Sequence, residues 1–193
     1  MPSIAILGSG NGSNAQALIN AVEAGTLEMT IACIISDVQN APILERAKQH
    51  HIPAHYIDCA PSPYTLRDQA EASVLQLLDH YQVDYIILAG FMRILKKSLL
   101  NNFPRKVINI HPSLLPAFPG LEAGRQAFDA GVRETGCTVH YVDEGIDTGE
   151  IILQKKISIE ATDTLESLMQ KMHEAEHIAY PEALNHLFKT EIQ

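Results

Sequence analysis

Basic residues are scarce in this chain. Lysine and arginine together number 14 against 23 aspartates and glutamates, a formal net charge of −9. Nucleic acid is thereby excluded as the main partner, because phosphate backbones need concentrated cationic side chains. A small anion held in one local pocket remains compatible. No apolar run approaches the length of a membrane span, so no membrane partner is expected. Cysteines are few and unpaired in spacing: Cys33, Cys59 and Cys137. Two sit in apolar runs, which reads as buried thiols in a reducing, cytoplasmic compartment. The N-terminus has no basic region and no signal-peptide cleavage site before its first strand-like run. Repeats, low-complexity tracts and linkers are also absent. What remains is a chain of 193 residues, 46% hydrophobic, sized for one domain with a real core.

Its most informative stretch is INIHPSLLPAFPG at 108–120. The β-branched run 106–110 reads as a buried strand. Asn109 and His111 stand two apart at its end and so point to the same face. Pro112, Pro116 and Pro119 then forbid regular structure. An irregular apolar loop after a buried strand is where open α/β sheets bind ligands. An amide and an imidazole side by side there are able to donate to one developing oxyanion. The plainer alternative has Asn109 capping the strand and His111 packing under the prolines.

The chain opens with a short strand, 3–7, followed by GSGNGSN at 8–14 and a helix-periodic segment. Glycines at 8, 10 and 12 exceed the need of an ordinary turn, and with Ser13 and Asn14 they point to an anion held at a helix N-terminus. The dinucleotide fingerprint is matched only in part, since its third glycine is replaced by Ser13, although Asp37 stands where a ribose-binding acid would. No Gly-Lys-Ser/Thr follows, so this is not a P-loop, and a monophosphate fits better.

Further strands are expected at 30–35, 54–57, 84–89, 136–142 and 150–157. Helices are expected at 42–51, 64–81 with Arg67 on its solvent side, and 124–130, and again after a capping box formed by Asp163 and Glu166. Pro181 should break or kink that last helix. The continuous apolar strands argue for a single α/β domain with a mainly parallel twisted sheet, helices on both faces, and partly antiparallel C-terminal strands. Strand ends at Gly8, Gly90 and Ile110 would then carry their loops to one edge.

Two motifs suggest other chemistry. HEAEH at 173–177 matches H-E-x-x-H, but a zinc site needs a third protein ligand and the helix is generically amphipathic, so no metal is expected. DTG at 147–149 matches the aspartic-protease triplet, which requires two copies in an all-β setting. Asn109, His111 and Asp147 remain. A carboxylate beside the imidazole would favour imidazolium, which with the Asn109 amide could stabilise a tetrahedral oxyanion, while Asp147 takes a proton from an attacking amine. No serine or cysteine in these motifs is placed as a covalent nucleophile, which favours direct transfer between two bound substrates.

The segments GNGSN at 10–14, LAGFMRIL at 88–95, NIHPSLLP at 109–116, GCTVH at 136–140 and DTG at 147–149 together resemble the phosphoribosylglycinamide formyltransferase family of folate-dependent enzymes, in order and through essentially the whole chain. The resemblance implies a Rossmann-like formyltransferase fold with a mononucleotide-binding half, 1–100, and a catalytic, folate-binding half, 101–193. It implies transfer of a formyl group from 10-formyltetrahydrofolate, a co-substrate, to the amine of glycinamide ribonucleotide in purine biosynthesis.

Asn109, His111 and Asp147 would be catalytic, with His140 in support. Gly12, Ser13 and Asn14 would hold the substrate phosphate, and Glu176 the ribose. Arg67, Met92, Arg93, Ile94 and Leu95, largely through backbone groups, would border the folate with Asn109, Val142, Glu144, Gly145, Ile146 and Asp147. A homodimer is compatible with the resemblance. The chain departs from the pattern at Glu150, where many members carry proline, and at His173, a variable position. The nearest rivals are a formyltetrahydrofolate deformylase, expected to carry an extra N-terminal domain, and another formyl-folate transferase. From a different class come a NAD-binding oxidoreductase and a catalytically silent nucleotide-binding module.

Overall fold

The computed structural model describes the backbone of residues 1–191 and the side chains of 1–189. Among these residues seven strands form a mixed sheet in the order β3-β2-β1-β4-β5-β6-β7. The chain divides into two compact units, Met1–Ile108 and Asn109–Gln193, and the division falls inside β5 (Val107–His111).

The first unit is a parallel α/β layer. It holds β1 (Ser3–Leu7), α1 (Ser13–Glu23), β2 (Thr30–Ser36), α2 (Pro42–Gln49), β3 (Ala54–Tyr56), α3 (Asp68–His80), β4 (Tyr85–Leu88) and α4 (Lys97–Asn102). β1 pairs in parallel with β2 and β4, and β2 with β3. Ile4, Ala5, Ile6 and Leu7 are all 0% exposed, the burial on both faces that a continuous apolar strand predicts. Cys33, Cys59 and Cys137 are free and buried, and burial pushes the Cys33 and Cys137 thiols up to about 12.

The second unit adds α5 (Ala123–Asp129), β6 (Glu134–Tyr141), β7 (Ile151–Ser158) and α6 (Leu165–Glu191). β6 and β7 pair antiparallel, and α6 lies along both and against α5.

Four expectations need correction. Residues 64–67 are not helical: Thr65 bridges Ile94, Ile94 N–H donates to Tyr64 O, and Leu66 N–H donates to Ile94 O. Leu66 is fully buried in that pairing, so an apolar position that suited a helix stripe is used by a strand-like contact instead. Arg67 is therefore the extended residue preceding α3, not a member of the helix. The cap of α6 lies one residue later than expected. Thr164 Oγ1 accepts from Ser167 N–H, and Ser167 Oγ accepts from Thr164 N–H. Asp163 instead binds the Ser167 hydroxyl, Lys171 and the Glu160 N–H from outside the helix. Finally, of the expected break or kink at Pro181, the break does not occur: α6 runs continuously through it. Proline costs about 3 kcal/mol in a helix interior, but Ala179, Tyr180, Ala183 and Leu184 around it are fully buried and hold the helix in place. The short helix α4, with Leu99 as its one buried residue, has no counterpart in the sequence reading.

Candidate active site

Four polar side chains meet in the second unit. Asn109 and His111 lie at the end of β5, His140 on β6, and Asp147 in the loop between β6 and β7. The loop has its own frame: Asp143 Oδ1 accepts from Gly145 N–H at 3.0 Å and from the Thr148 hydroxyl at 2.7 Å, an Asx-type turn. It closes where Tyr141 N–H donates to Glu150 O, and only glycine fits at 149, since a Cβ there would lie 1.7 Å from Tyr141 O. Asp147 adopts a left-handed backbone, φ 54°, a conformation that aspartate tolerates better than most residues.

The Asp147 carboxylate is the hub. Oδ2 lies 3.3 Å from His111 Nδ1 and accepts from Gly120 N–H at 2.8 Å. Oδ1 lies 3.7 Å from His140 Nε2. The opposite edge of the His111 ring, Nε2, donates to the Phe118 carbonyl at 2.9 Å. His111 thus stands between two acceptors, an arrangement satisfied by a ring with two N–H donors, the cationic form. It also packs beneath the proline loop, 5% exposed, and both of its ring nitrogens face acceptors of the protein.

His140 is the counterpart. Its Nδ1 donates to Tyr141 O at 2.8 Å, and burial, the largest influence, holds its pKa below the ordinary histidine value; nearby Asp147 and the Tyr141 bond oppose that shift. The neutral Nδ1–H form leaves Nε2 as an acceptor, and Asn109 Nδ2 donates to it at 3.3 Å. One amide hydrogen is thereby fixed, which orients the other. The cluster therefore offers a hydrogen-bond donor, a site for a cationic ring, and a carboxylate to take a proton. Sequence reasoning missed the Phe118 carbonyl and the Gly120 N–H. Backbone groups have no side-chain signature in a sequence.

Elsewhere in this unit Glu176 is 5% exposed on α6. Ile146 is 61% exposed at the tip of the β6–β7 loop, beside exposed Glu144 and Gly145 and half-buried Val142. The His173 and His177 rings stack with centroids 6.5 Å apart, and Glu174 accepts from Gln170. Among the described residues no group of three or more histidine, cysteine or acidic side chains is arranged for a metal ion.

The first unit carries the glycine loop and the loop after β4. Gly12 is the cap residue of α1 with φ 76°, and a Cβ there would meet Ile43 Cγ1 at 2.6 Å. Ser13 and Asn14 open the helix, which has no side-chain cap and no acid in its first turn, so its N-terminal donors are not committed to a side-chain cap. Asp37 is spent within the protein. Its Oδ1 accepts from the Ser9 hydroxyl and its Oδ2 from Arg93 Nε, both at 2.5 Å, and its side chain is 3% exposed. That removes the carboxylate on which the NAD alternative relied. Arg93 also donates to Ser62 O, and Met92 N–H donates to Ser9 Oγ at 2.9 Å. Met92 and Ile94 are 59% and 51% exposed, Leu95 is buried, and Arg67 is exposed and paired with Asp68.

The formyl transferase family model matches residues 3–184. The phosphoribosylglycinamide formyltransferase of Bacillus subtilis is 43% identical over 97% of this chain and 95% of its own length. The crystal structure of phosphoribosylglycinamide formyltransferase from Bacillus halodurans is 46% identical and superposes with a TM-score of 0.91, covering 96% of this chain and 94% of that one. A formyltetrahydrofolate deformylase from Pseudomonas syringae is more distant, 30% identical with a TM-score of 0.88 over 95% of this chain and 60% of that one. This chain belongs to the formyl transferase family, on the branch of the phosphoribosylglycinamide formyltransferases.

Proposed function

We propose that this protein transfers the formyl group of 10-formyltetrahydrofolate directly to the amine of glycinamide ribonucleotide, yielding the formylated ribonucleotide and tetrahydrofolate for purine synthesis. The observation that carries the reading is the placement of the Asp147 carboxylate against His111, with Asn109 oriented by His140. The amine nitrogen attacks the formyl carbon, and the carbonyl electrons move onto oxygen. The second Asn109 N–H and the charge on His111 stabilise that oxyanion. Asp147 accepts a proton from the new ammonium and returns one to N10 as the carbon–N10 bond breaks, so no proton is gained or lost overall. Deep burial of His111 strengthens each of these electrostatic effects.

Binding roles follow the family pattern. Gly12, Ser13 and Asn14 take the phosphate, and Glu176 the ribose hydroxyls. Met92, Arg93, Ile94 and Leu95, with Arg67, take the folate, as do Asn109, Val142, Glu144, Gly145, Ile146 and Asp147. In the first unit the exposed apolar side chains of Met92 and Ile94 suit an aromatic co-substrate. Arg93 contributes through its backbone, since its side chain is engaged by Asp37 and Ser62. The protein is read as cytoplasmic, in keeping with its buried free thiols. No helix among the described residues is long and apolar enough to cross a membrane.

A steady-state assay with both substrates tests the reading, following tetrahydrofolate release with a no-amine control. Amine-dependent release supports the transferase. Equal release without amine makes the protein a deformylase, and no release from folded protein overturns the choice of substrates.

A further inference from the structure

Arg46 projects from α2 onto the glycine loop. Its Nε donates to the Asn11 backbone carbonyl and its Nη2 to the Asn11 side-chain carbonyl, both at 2.8 Å. Its Nη1 donates to Gln16 Oε1, in the first turn of α1, at 3.2 Å. Gln16 is held in turn by His50 Nε2 at 2.9 Å, and His50 Nδ1 by Glu23 at 2.7 Å. The guanidinium fork thus grips two oxygens of one residue, a match of shape that lysine lacks. All three acceptors on Arg46 are neutral oxygens, so none of these bonds cancels its charge.

The consequence lies in the next peptide group. The Asn11 carbonyl and the Gly12 N–H share one plane and point in opposite directions across a trans peptide. Holding the carbonyl on Arg46 turns the Gly12 N–H to the other side, just where α1 begins without a side-chain cap. We infer that Arg46 is a positioning residue for phosphate recognition: it fixes the Asn11–Gly12 peptide so that the loop N–H groups face the anion, and it adds an uncancelled positive charge behind them. This rests on the phosphate role proposed above for Gly12, Ser13 and Asn14.

The test compares glycinamide ribonucleotide with its dephosphorylated riboside at saturating 10-formyltetrahydrofolate, with inorganic phosphate as a competing inhibitor. Arg46→Lys keeps charge and most of the stem but loses the fork. Arg46→Ala loses both, and thermal melts report the fold of each. Arg46→Lys should raise KM for the ribonucleotide and the inhibition constant of phosphate by about tenfold, with the folate KM and riboside turnover unchanged. Equal losses on ribonucleotide and riboside would make the role merely structural and overturn the inference, as would an unchanged ribonucleotide KM. Ser13→Ala separates the two failures. If it removes the preference for the phosphorylated substrate while both Arg46 variants keep it, only the Arg46 inference falls. If Ser13→Ala also keeps the preference, the phosphate reading falls and the inference with it.

Discussion

Asp147→Asn isolates the charge of the hub from its shape. The asparagine oxygen can keep the Gly120 N–H bond that Oδ2 now accepts at 2.8 Å, and the new amide N–H₂ then faces His140 Nε2, 3.7 Å from Oδ1, an acceptor it would share with Asn109. No buried polar group is stranded, so the stability change should stay within about 1 kcal/mol. The negative charge is lost. At 3.3 Å from His111 Nδ1 and an effective dielectric of about 20, that charge is worth about 5 kcal/mol to a cationic ring, an upper bound. Loss of a positioned proton acceptor alone costs about a hundredfold to ten-thousandfold. The two figures agree in order, so kcat should fall by about two to four powers of ten. Because the interaction matters in the transition state, kcat and kcat/KM for glycinamide ribonucleotide should fall together while its KM holds. Tetrahydrofolate release at saturating substrates reads the rate, and a thermal melt reads the fold. A folded variant with kcat within tenfold of the parent would refute the reasoning.

Three further outcomes concern the scaffold. Asp37→Ala leaves the part-buried Arg93 guanidinium without its partner and should cost about 3–5 kcal/mol in urea unfolding; a loss under about 1 kcal/mol would mean the pair is not structural. Gly149→Ala drives a methyl group into Tyr141 O and should cost about 1–3 kcal/mol, seen as a lower melting temperature; an unchanged melt would contradict the loop closure described. Lys171, the Glu160 N–H and the Ser167 hydroxyl hold the Asp163 carboxyl down at about 2, below the ordinary aspartate value of 3.8. Its contribution is therefore fully present above 3.8 and is lost as pH falls towards about 2. Asp163→Asn should flatten the pH dependence of the melting temperature across that interval, and an unchanged slope would remove Asp163 from the account.

Much of this architecture is legible in the letters. β1 is read at its observed bounds because a continuous apolar run between a polar start and a glycine admits few alternatives. The two-residue period alone puts Asn109 and His111 on one face. Their junction with Asp147 is different. Nothing local links a strand end to a loop so distant in sequence: the residues can be named as candidates, but only the fold brings them together. What stayed hidden follows a pattern. The Phe118 carbonyl and Gly120 N–H hold His111 and Asp147, yet any residue supplies such groups. Leu66 fits a helix stripe but is buried by pairing beside Ile94, a tertiary choice that periodicity cannot see. Pro181 signals a break, yet the burial of Tyr180 and Leu184 outweighs it. Asp37 resembles a ribose ligand until its two oxygens are found on Ser9 and Arg93.

The central claim is direct transfer from folate to amine at Asn109, His111 and Asp147. Running the reaction in heavy-oxygen water and weighing the products by mass spectrometry tests it most directly. Direct transfer predicts that the formylated ribonucleotide carries the original formyl oxygen, that it forms in equal amount to tetrahydrofolate, and that neither forms without amine. Heavy-oxygen formate released at the same rate with or without amine would contradict the account.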